Sequence, residues 1–449
     1  MTDLPRIAID GVFFQIANSG IARVWHSLFQ EWVKSGFCQH LLIIDRDGTS
    51  PQIPGLTYYQ TPLFDYQNPA LESIYIQEIC DRERIDLFIS TYHTISLLTP
   101  SIVLVHDMLP EIFNTDLSVM PLQEKYWSIL HACHYISVST NTAGDLQKFF
   151  ANIPKDRITI ALNGVGSEFC PQNPDRIQSF KTKYQIEKPF FLIVGNRYAN
   201  GGFKNVVHFF RAFVKLPDRH QFEIVCIGGY HILEPELVQL AGSTKVSVLS
   251  LKYEELMASY PSAIALIYPS LYEGFGLPLL EAMACACPVI TCANSAIPEV
   301  AGEAAIYVST TDINELTTAL VKVQHSKVRS QLISAGLAQS KHFSWSKMAD
   351  TIAKVLVDAH TDIQVGKLPL SPKLLLWTKL RQIQSQQQQL FITTAAKCAA
   401  AEEHLAITNV ELSTVNAKII SMENTKFWKL RQQWFRFKKM LGLTKQNIP

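Results

Sequence analysis

Short apolar runs recur along the first 365 positions, and between most of them apolar residues fall three and four apart. The runs RIAID (6–10), HLLII (40–44), IDLFIS (85–90), SIVLVHD (101–107) and YISVS (135–139) read as strands. So do PFFLIVG (189–195), FEIVCIG (222–228), VSVLS (246–250), AIALIYPS (263–270), CPVITC (287–292) and AAIYV (304–308). Near-continuous apolar strands are buried on both faces, and their alternation with amphipathic helices is the pattern of parallel α/β sheets. Eleven strands exceed one doubly wound sheet of ordinary size. The expected class is therefore α/β, with two Rossmann-like domains at 1–170 and 171–365. The turn-rich stretch NGVGSEFCPQNPD (163–175) joins them.

The pattern changes after residue 365. Pro369 and Pro372 end the globular part, and a glutamine run follows at 386–389. From Phe391 a heptad runs through Thr394, Cys398, Ala401, Leu405, Thr408, Leu412, Val415, Ile419 and Met422. This stretch, 391–422, is either a self-associating coiled coil or a single amphipathic helix packed on its own body. The last segment, 426–443, sets Phe427, Leu430, Trp434, Phe437 and Leu441 on one helical face. It carries six Lys or Arg and no acid. That fits a helix lying on an anionic membrane surface; docking on protein is the alternative.

Composition narrows the class. Of 449 residues, 47% are hydrophobic and 18% charged, the balance of a folded globular chain. No apolar run reaches the length needed to span a bilayer. MTDLPRIAIDG lacks a basic-then-apolar leader pattern, so the expected place is the cytoplasm, peripheral on the inner face of the cell membrane. Nine scattered cysteines point to a reducing compartment rather than a disulfide framework. The net charge of +1 hides a split: residues 366–449 hold thirteen Lys or Arg against four Glu, and the remainder is acidic. The basic tail would meet an anionic lipid surface; no nucleic-acid partner is expected.

The densest chemistry lies in SLYEGFGLPLLEAMAC (270–285), which reads as a strand end, a glycine loop and a helix start. Pro278 suits the first turn of a helix, where an N–H has no intrahelical use. Free N–H groups and the positive end of the dipole make an anion site there. Gly274 and Gly276 let a ligand approach the backbone. Glu273 and Glu281 flank that cradle and can accept hydrogen bonds from hydroxyl groups. Phosphates between two polyols describe a nucleotide-sugar. An ordinary helix start, with Glu281 placed for the dipole, is the plain alternative.

The stretch PSLYEGFGLPLLEAMACACPVI, with SAIPEVAGEAAIYV after it, resembles the signature of the retaining family 4 glycosyltransferases. The resemblance implies a GT-B fold, with two Rossmann-like domains facing a cleft. It implies that Glu273 and the loop backbone hold the donor sugar, and that Glu281 holds the ribose. Phe275, Gly276 and Leu277 match the segment whose backbone faces sugar and diphosphate. In FLIVGNRYANGGFKNVVHFFRAF (191–213), Arg197 and Lys204 match two cations that neutralise the leaving diphosphate, with a longer loop between them than usual. Gly20 matches the glycine segment opposite the phosphates, where Ser19 replaces a second glycine. Arg23 faces either an acceptor phosphate or the surface. His106 and Asp107 resemble the HD segment of a mannosyltransferase branch; His106 would reach donor sugar or acceptor, and Asp107 the acceptor side. His93 is structural or acceptor-side. Thr142 with Asp145 makes a capping box. FSWSKMADTIAKVLVDAH (343–360) is similar to the last family helix, which crosses back to the first domain. Cys285, Cys287 and Cys292 read as small buried hydrophobes, and Ala286 stands where the family has glycine.

The function implied is transfer of a sugar, with mannose from GDP-mannose as the lean. The acceptor would be a glycan or lipid-linked glycan in cell-surface polysaccharide synthesis. No cofactor is expected. No metal is expected either, since no Asp-x-Asp segment of the metal-dependent kind is present. A nucleotide-sugar epimerase or other GT-B enzyme is the competing reading. A degenerate scaffold acting through its tail is the third.

Overall fold

The structure, a computed structural model, describes residues 4–16, 19–117, 119, 121–197, 202–229, 231–368 and 372–442. It divides into two compact units, Met1–Thr378 and Lys379–Pro449.

The first unit contains two wholly parallel sheets. One has seven strands: β1 (Ile7–Asp10), β2 (Leu41–Arg46), β3 (Thr57–Thr61), β4 (Leu87–Ser90), β5 (Ser101–Val105), β6 (His134–Ser137) and β7 (Ile158–Ile160). Their order is β3-β2-β1-β4-β5-β6-β7. The other has six: β8 (Phe190–Val194), β9 (Glu223–Ile227), β10 (Val246–Leu249), β11 (Ala265–Tyr268), β12 (Val289–Cys292) and β13 (Ala305–Val308). Their order is β10-β9-β8-β11-β12-β13. Both orders reverse beside the first strand of the sheet, and ligands of open α/β sheets bind at such a switch point.

All eleven expected strands form. The two not anticipated, β3 and β7, are the two edges of the first sheet. Each is largely half-buried or exposed, so neither carries a continuous apolar run.

The helix Gly20–Ser35 buries Trp25, Phe29 and Trp32 against the first sheet. The helix Trp345–Gln364 crosses back onto it, and Trp32 Nε1 donates to the Ala349 carbonyl at 3.0 Å. One apolar cluster therefore runs through both domains, from Ile7 and Phe29 to Leu279 and Leu356. Cys285, Cys287 and Cys292 sit in the apolar interior as small hydrophobes. Burial pushes the Cys287 and Cys292 thiols up to about 12.

Ser139, not Thr142, caps the helix Thr140–Phe149, accepting from the Thr142 N–H. Asp145 forms no capping box; it accepts from Asn141 Nδ2 at 2.7 Å and from Tyr272. Its carboxylate thus serves one contact within the helix and one across the domain boundary.

The helix Pro372–Glu423, 52 residues long, begins in the last residues of the first unit and supplies most of the second. Thr425 then caps the helix Lys426–Met440. Pro369 and Leu443 lie outside the described residues. Among the described residues no helix is long and apolar enough to cross a membrane.

Candidate active site

β11 ends at Tyr268, the chain loops to Gly276, and the helix Leu277–Ala284 begins. Gly276 caps that helix with φ +98°, in the left-handed region that favours glycine. Pro278 lies in the first turn. A Cβ on Gly20, the first residue of the helix Gly20–Ser35, would lie 3.6 Å from Leu277 Cδ1. Helix N-termini from the two domains therefore meet, each offering free N–H groups and a positive dipole end. Phe275 turns its ring inward onto Phe343, edge-on at 5.7 Å, leaving only its backbone to the loop surface.

Gly274 is required by a close approach. A Cβ there would fall 1.9 Å from the His106 carbonyl oxygen and 2.8 Å from Asp107 Cβ. The first domain clasps this glycine: Ser139 Oγ and Thr142 Oγ1 donate to the Gly274 carbonyl at 2.7 and 3.0 Å. Tyr272 OH donates to Asp145 at 2.9 Å. The Glu299 carboxylate accepts the Thr140 N–H and hydroxyl at 2.8–2.9 Å, at the N-terminus of the helix Thr140–Phe149.

Lys204 Nζ donates to Glu273 at 2.7 Å and to Tyr268 OH at 2.7 Å. Its stem crosses Gly195, at the end of β8, where a Cβ would lie 3.4 Å from Lys204 Cε. Glu273 is also fixed through its backbone, whose N–H donates to Ser295 Oγ at 2.9 Å. Burial, then Glu273, pushes the Tyr268 phenol well above its ordinary value, so it stays protonated.

Glu281 receives Arg23 across the domain boundary, and Tyr260 OH at 2.6 Å. Burial pushes its carboxyl above the usual range, against the pull of Arg23 and Tyr260. The Arg23 guanidinium thus sits on the second of the two expected acids.

Arg197 stands at the end of β8, yet its charge is engaged. Nε donates to Glu234 at 3.0 Å and Nη1 to the Gly228 carbonyl at 2.6 Å. Lys204 and Glu273 are thus brought together, as are Arg23 and Glu281, while Arg197 is paired with a third acid.

His106 is partly covered, and its Nε2 is shielded from solvent without a partner. Burial pushes its imidazole down to about 4, with Asp107 opposing and Lys125 adding to the shift. It is neutral near pH 7, able to exchange hydrogen bonds with a hydroxyl. Asp107 caps the next turn, accepting the Leu109 N–H at 3.0 Å. Beside His106 lies a cavity of about 70 Å³ lined by Ile21, Tyr92, His93 and Lys125 among others. His93 holds φ +56°, a backbone state uncommon outside glycine. Lys125 is anchored by Glu111 at 2.7 Å and the Asp107 carbonyl at 3.1 Å.

Sequence reasoning missed Lys125, Glu111, Tyr260, Glu234 and Glu299. Glu299 stands in a segment already picked out for other residues, and Glu111 lies four positions beyond Asp107. Tyr260 lies on an unremarkable helix, and only its reach to Glu281 distinguishes it.

The two facing sheets and the glycine loop between them define a GT-B protein. Residues 188–326, in its second domain, match the family described as glycosyl transferases group 1. The chain is similar to O-antigen chain mannosyltransferase B of Escherichia coli, 29% identical over 272 residues, covering 58% of this chain and 68% of that protein. It is 28% identical over 244 residues to O-antigen chain mannosyltransferase RfbU of Salmonella typhimurium, covering 53% of this chain and 65% of that one. The chain thus spans about two thirds of the length of both. Among solved structures, WaaG, a glycosyltransferase involved in lipopolysaccharide biosynthesis, superposes with a TM-score of 0.64 at 16% identity. That match covers 78% of this chain and 99% of WaaG.

Proposed function

We propose that this chain is a retaining, metal-independent glycosyltransferase that moves a hexose, with mannose favoured, from a nucleotide-sugar to a glycan or lipid-linked glycan. The observation that carries the reading is Lys204 bound to Glu273 beside the N-terminus of Leu277–Ala284, with Glu281 one turn into the helix. In the reaction, the bond from the acceptor oxygen to C1 of the sugar forms as the bond from C1 to the phosphate oxygen breaks. Both events occur on one face, and the acceptor proton passes to the departing phosphate. Lys204 and the two helix N-termini stabilise charge as it develops on the diphosphate. Arg197, balanced by Glu234, backs the same strand end. Glu273 orients the sugar hydroxyls, Glu281 the ribose diol, and neutral His106 the opposite wall. Support for independence from metal is that the chain itself supplies this positive charge.

The relatives named for O-antigen mannosyl transfer favour a cell-surface polysaccharide and mannose. The helix Lys426–Met440 supports peripheral attachment at an anionic membrane: Phe427, Trp434 and Met440 are 76%, 56% and 78% exposed. Cations lie over its aromatic rings, with Arg431 4.8 Å from the Trp428 centroid.

The test uses labelled nucleotide-sugars, the full chain and a lipid-linked oligosaccharide extract. Label should enter the extract in the presence of EDTA, with the anomeric configuration of the donor kept. An inverted product removes the retaining clause, and EDTA-sensitive transfer removes the metal-independent one. Conversion of the donor sugar without any acceptor returns the epimerase reading. Cosedimentation with phosphatidylglycerol vesicles but not with neutral ones tests the tail.

A further inference from the structure

We propose that residues 391–422 form a parallel, in-register, two-stranded coiled coil with a second copy of this chain. The inference stands on the tail alone, independent of the transfer reaction. On a straight helix this stretch is about 48 Å long. Phe391, Cys398, Leu405, Leu412 and Ile419 occupy every a position, and all are exposed. Phe391, Leu405 and Leu412 are 74%, 62% and 58% exposed, a continuous apolar seam rather than scattered residues. Two of the intervening d positions are threonines, and the helix already satisfies their hydroxyls. Thr394 Oγ1 donates to the Leu390 carbonyl at 2.7 Å, and Thr408 Oγ1 to His404 at 2.9 Å. Their methyl groups are free for the seam.

The flanking charges choose the occupant and its direction. In a parallel pair each g residue meets the e residue five positions on in the partner. Lys397 then meets the partner's Glu402, and Lys418 the partner's Glu423. The remaining facing pairs, His404 with Asn409 and Glu411 with Asn416, place no like charges together at neutral pH. An antiparallel pairing on the same seam brings Lys397 against Lys418 and sets Cys398 beside Val415. The apolar residues off the seam, Ile392, Ile407, Val410 and Ile420, are spread over the b, c and f positions and form no second stripe. Because Lys426–Met440 follows directly, a parallel pair sets two basic helices at one end. Two linked anchors hold a surface far longer than one.

The test uses the full chain with Cys170→Ser, which removes the other exposed thiol. Light scattering should give twice the 50.6 kDa chain mass. Copper-phenanthroline should join the two Cys398 thiols as a disulfide, leaving a covalent dimer that is absent after Cys398→Ser. Lys397→Glu with Lys418→Glu should weaken association roughly tenfold or more. Adding Glu402→Lys and Glu423→Lys should restore it. A monomer at tens of micromolar overturns the proposal. So does a dimer that Cys398 cannot cross-link, or one indifferent to the charge swaps.

Discussion

Replacing Glu281 with glutamine separates binding from chemistry. The carboxylate accepts from Arg23 and from Tyr260 OH at 2.6 Å. Glutamine keeps one acceptor oxygen, so Tyr260 retains a partner. Arg23 loses its anion, but its side chain is 25% exposed and can take up water. Breaking a fully buried ion pair costs about 3–5 kcal/mol; with that exposure, about 1–3 is expected here. On the ligand side, two charge-assisted hydrogen bonds from a ribose diol become at best one neutral bond. The loss is about 2–3 kcal/mol, or roughly 30- to 150-fold in affinity. The ribose is remote from the bond that breaks, so ground state and transition state lose equally. KM for the donor and Kd for the nucleoside diphosphate should rise by that factor, while kcat stays within about fivefold. Calorimetry with the diphosphate, beside a melting curve, measures both quantities. A folded variant with unchanged Kd refutes the assignment of Glu281. Glu281→Ala is a poorer probe, because it strands Tyr260 and Arg23 together and costs more stability.

Three further outcomes follow from the same geometry. His106 is ordinary in the unfolded chain, near 6.5, and pushed down to about 4 when folded. The unfolded chain takes up that proton first, so stability is lost as pH falls from about 6.5 toward 4. His106→Asn should flatten that part of a Tm-versus-pH curve; an unchanged slope contradicts the shift. Ala286 holds φ +59°, in the left-handed region that favours glycine, so Ala286→Gly should raise stability by about 1 kcal/mol in a denaturant titration. Gly274→Ala drives a Cβ to 1.9 Å from the His106 carbonyl. It should widen the body in small-angle scattering and cut turnover at least about a hundredfold, since a misplacement near 1 Å is that costly.

The interior strands were legible because both their faces are buried and their apolar runs are unbroken. β3 was not: TYYQT is exposed or half-buried over four of its five residues and carries no continuous apolar run. The glycine loop and its two acids were visible from spacing, since strand end, loop and helix start are local. What holds those acids was not visible. Arg23 lies 258 positions from Glu281 and Lys204 lies 69 from Glu273, and no periodicity links them. Arg197 illustrates the limit most sharply, because its partner Glu234 lies 37 positions away on another loop and no local pattern announces the pair. The two positions where the resemblance led us to expect glycine divide in the same way. Ser19 sits in extended backbone, φ −129°, where any residue fits, whereas Ala286 sits where glycine is preferred. Sequence marks both positions alike; only the backbone separates them.

The central claim is that the loop from Glu273 to Glu281 seats a nucleotide-sugar. A thermal-shift panel of nucleotide-sugars on the full chain tests it most directly. At a hundred times Kd, a ligand of the folded state adds about 2.7 kcal/mol. The account predicts a rise in Tm with at least one nucleotide-sugar, GDP-mannose foremost, and its loss or sharp reduction in Glu281→Gln. No shift with any member of the panel, or an equal shift in the variant, contradicts it.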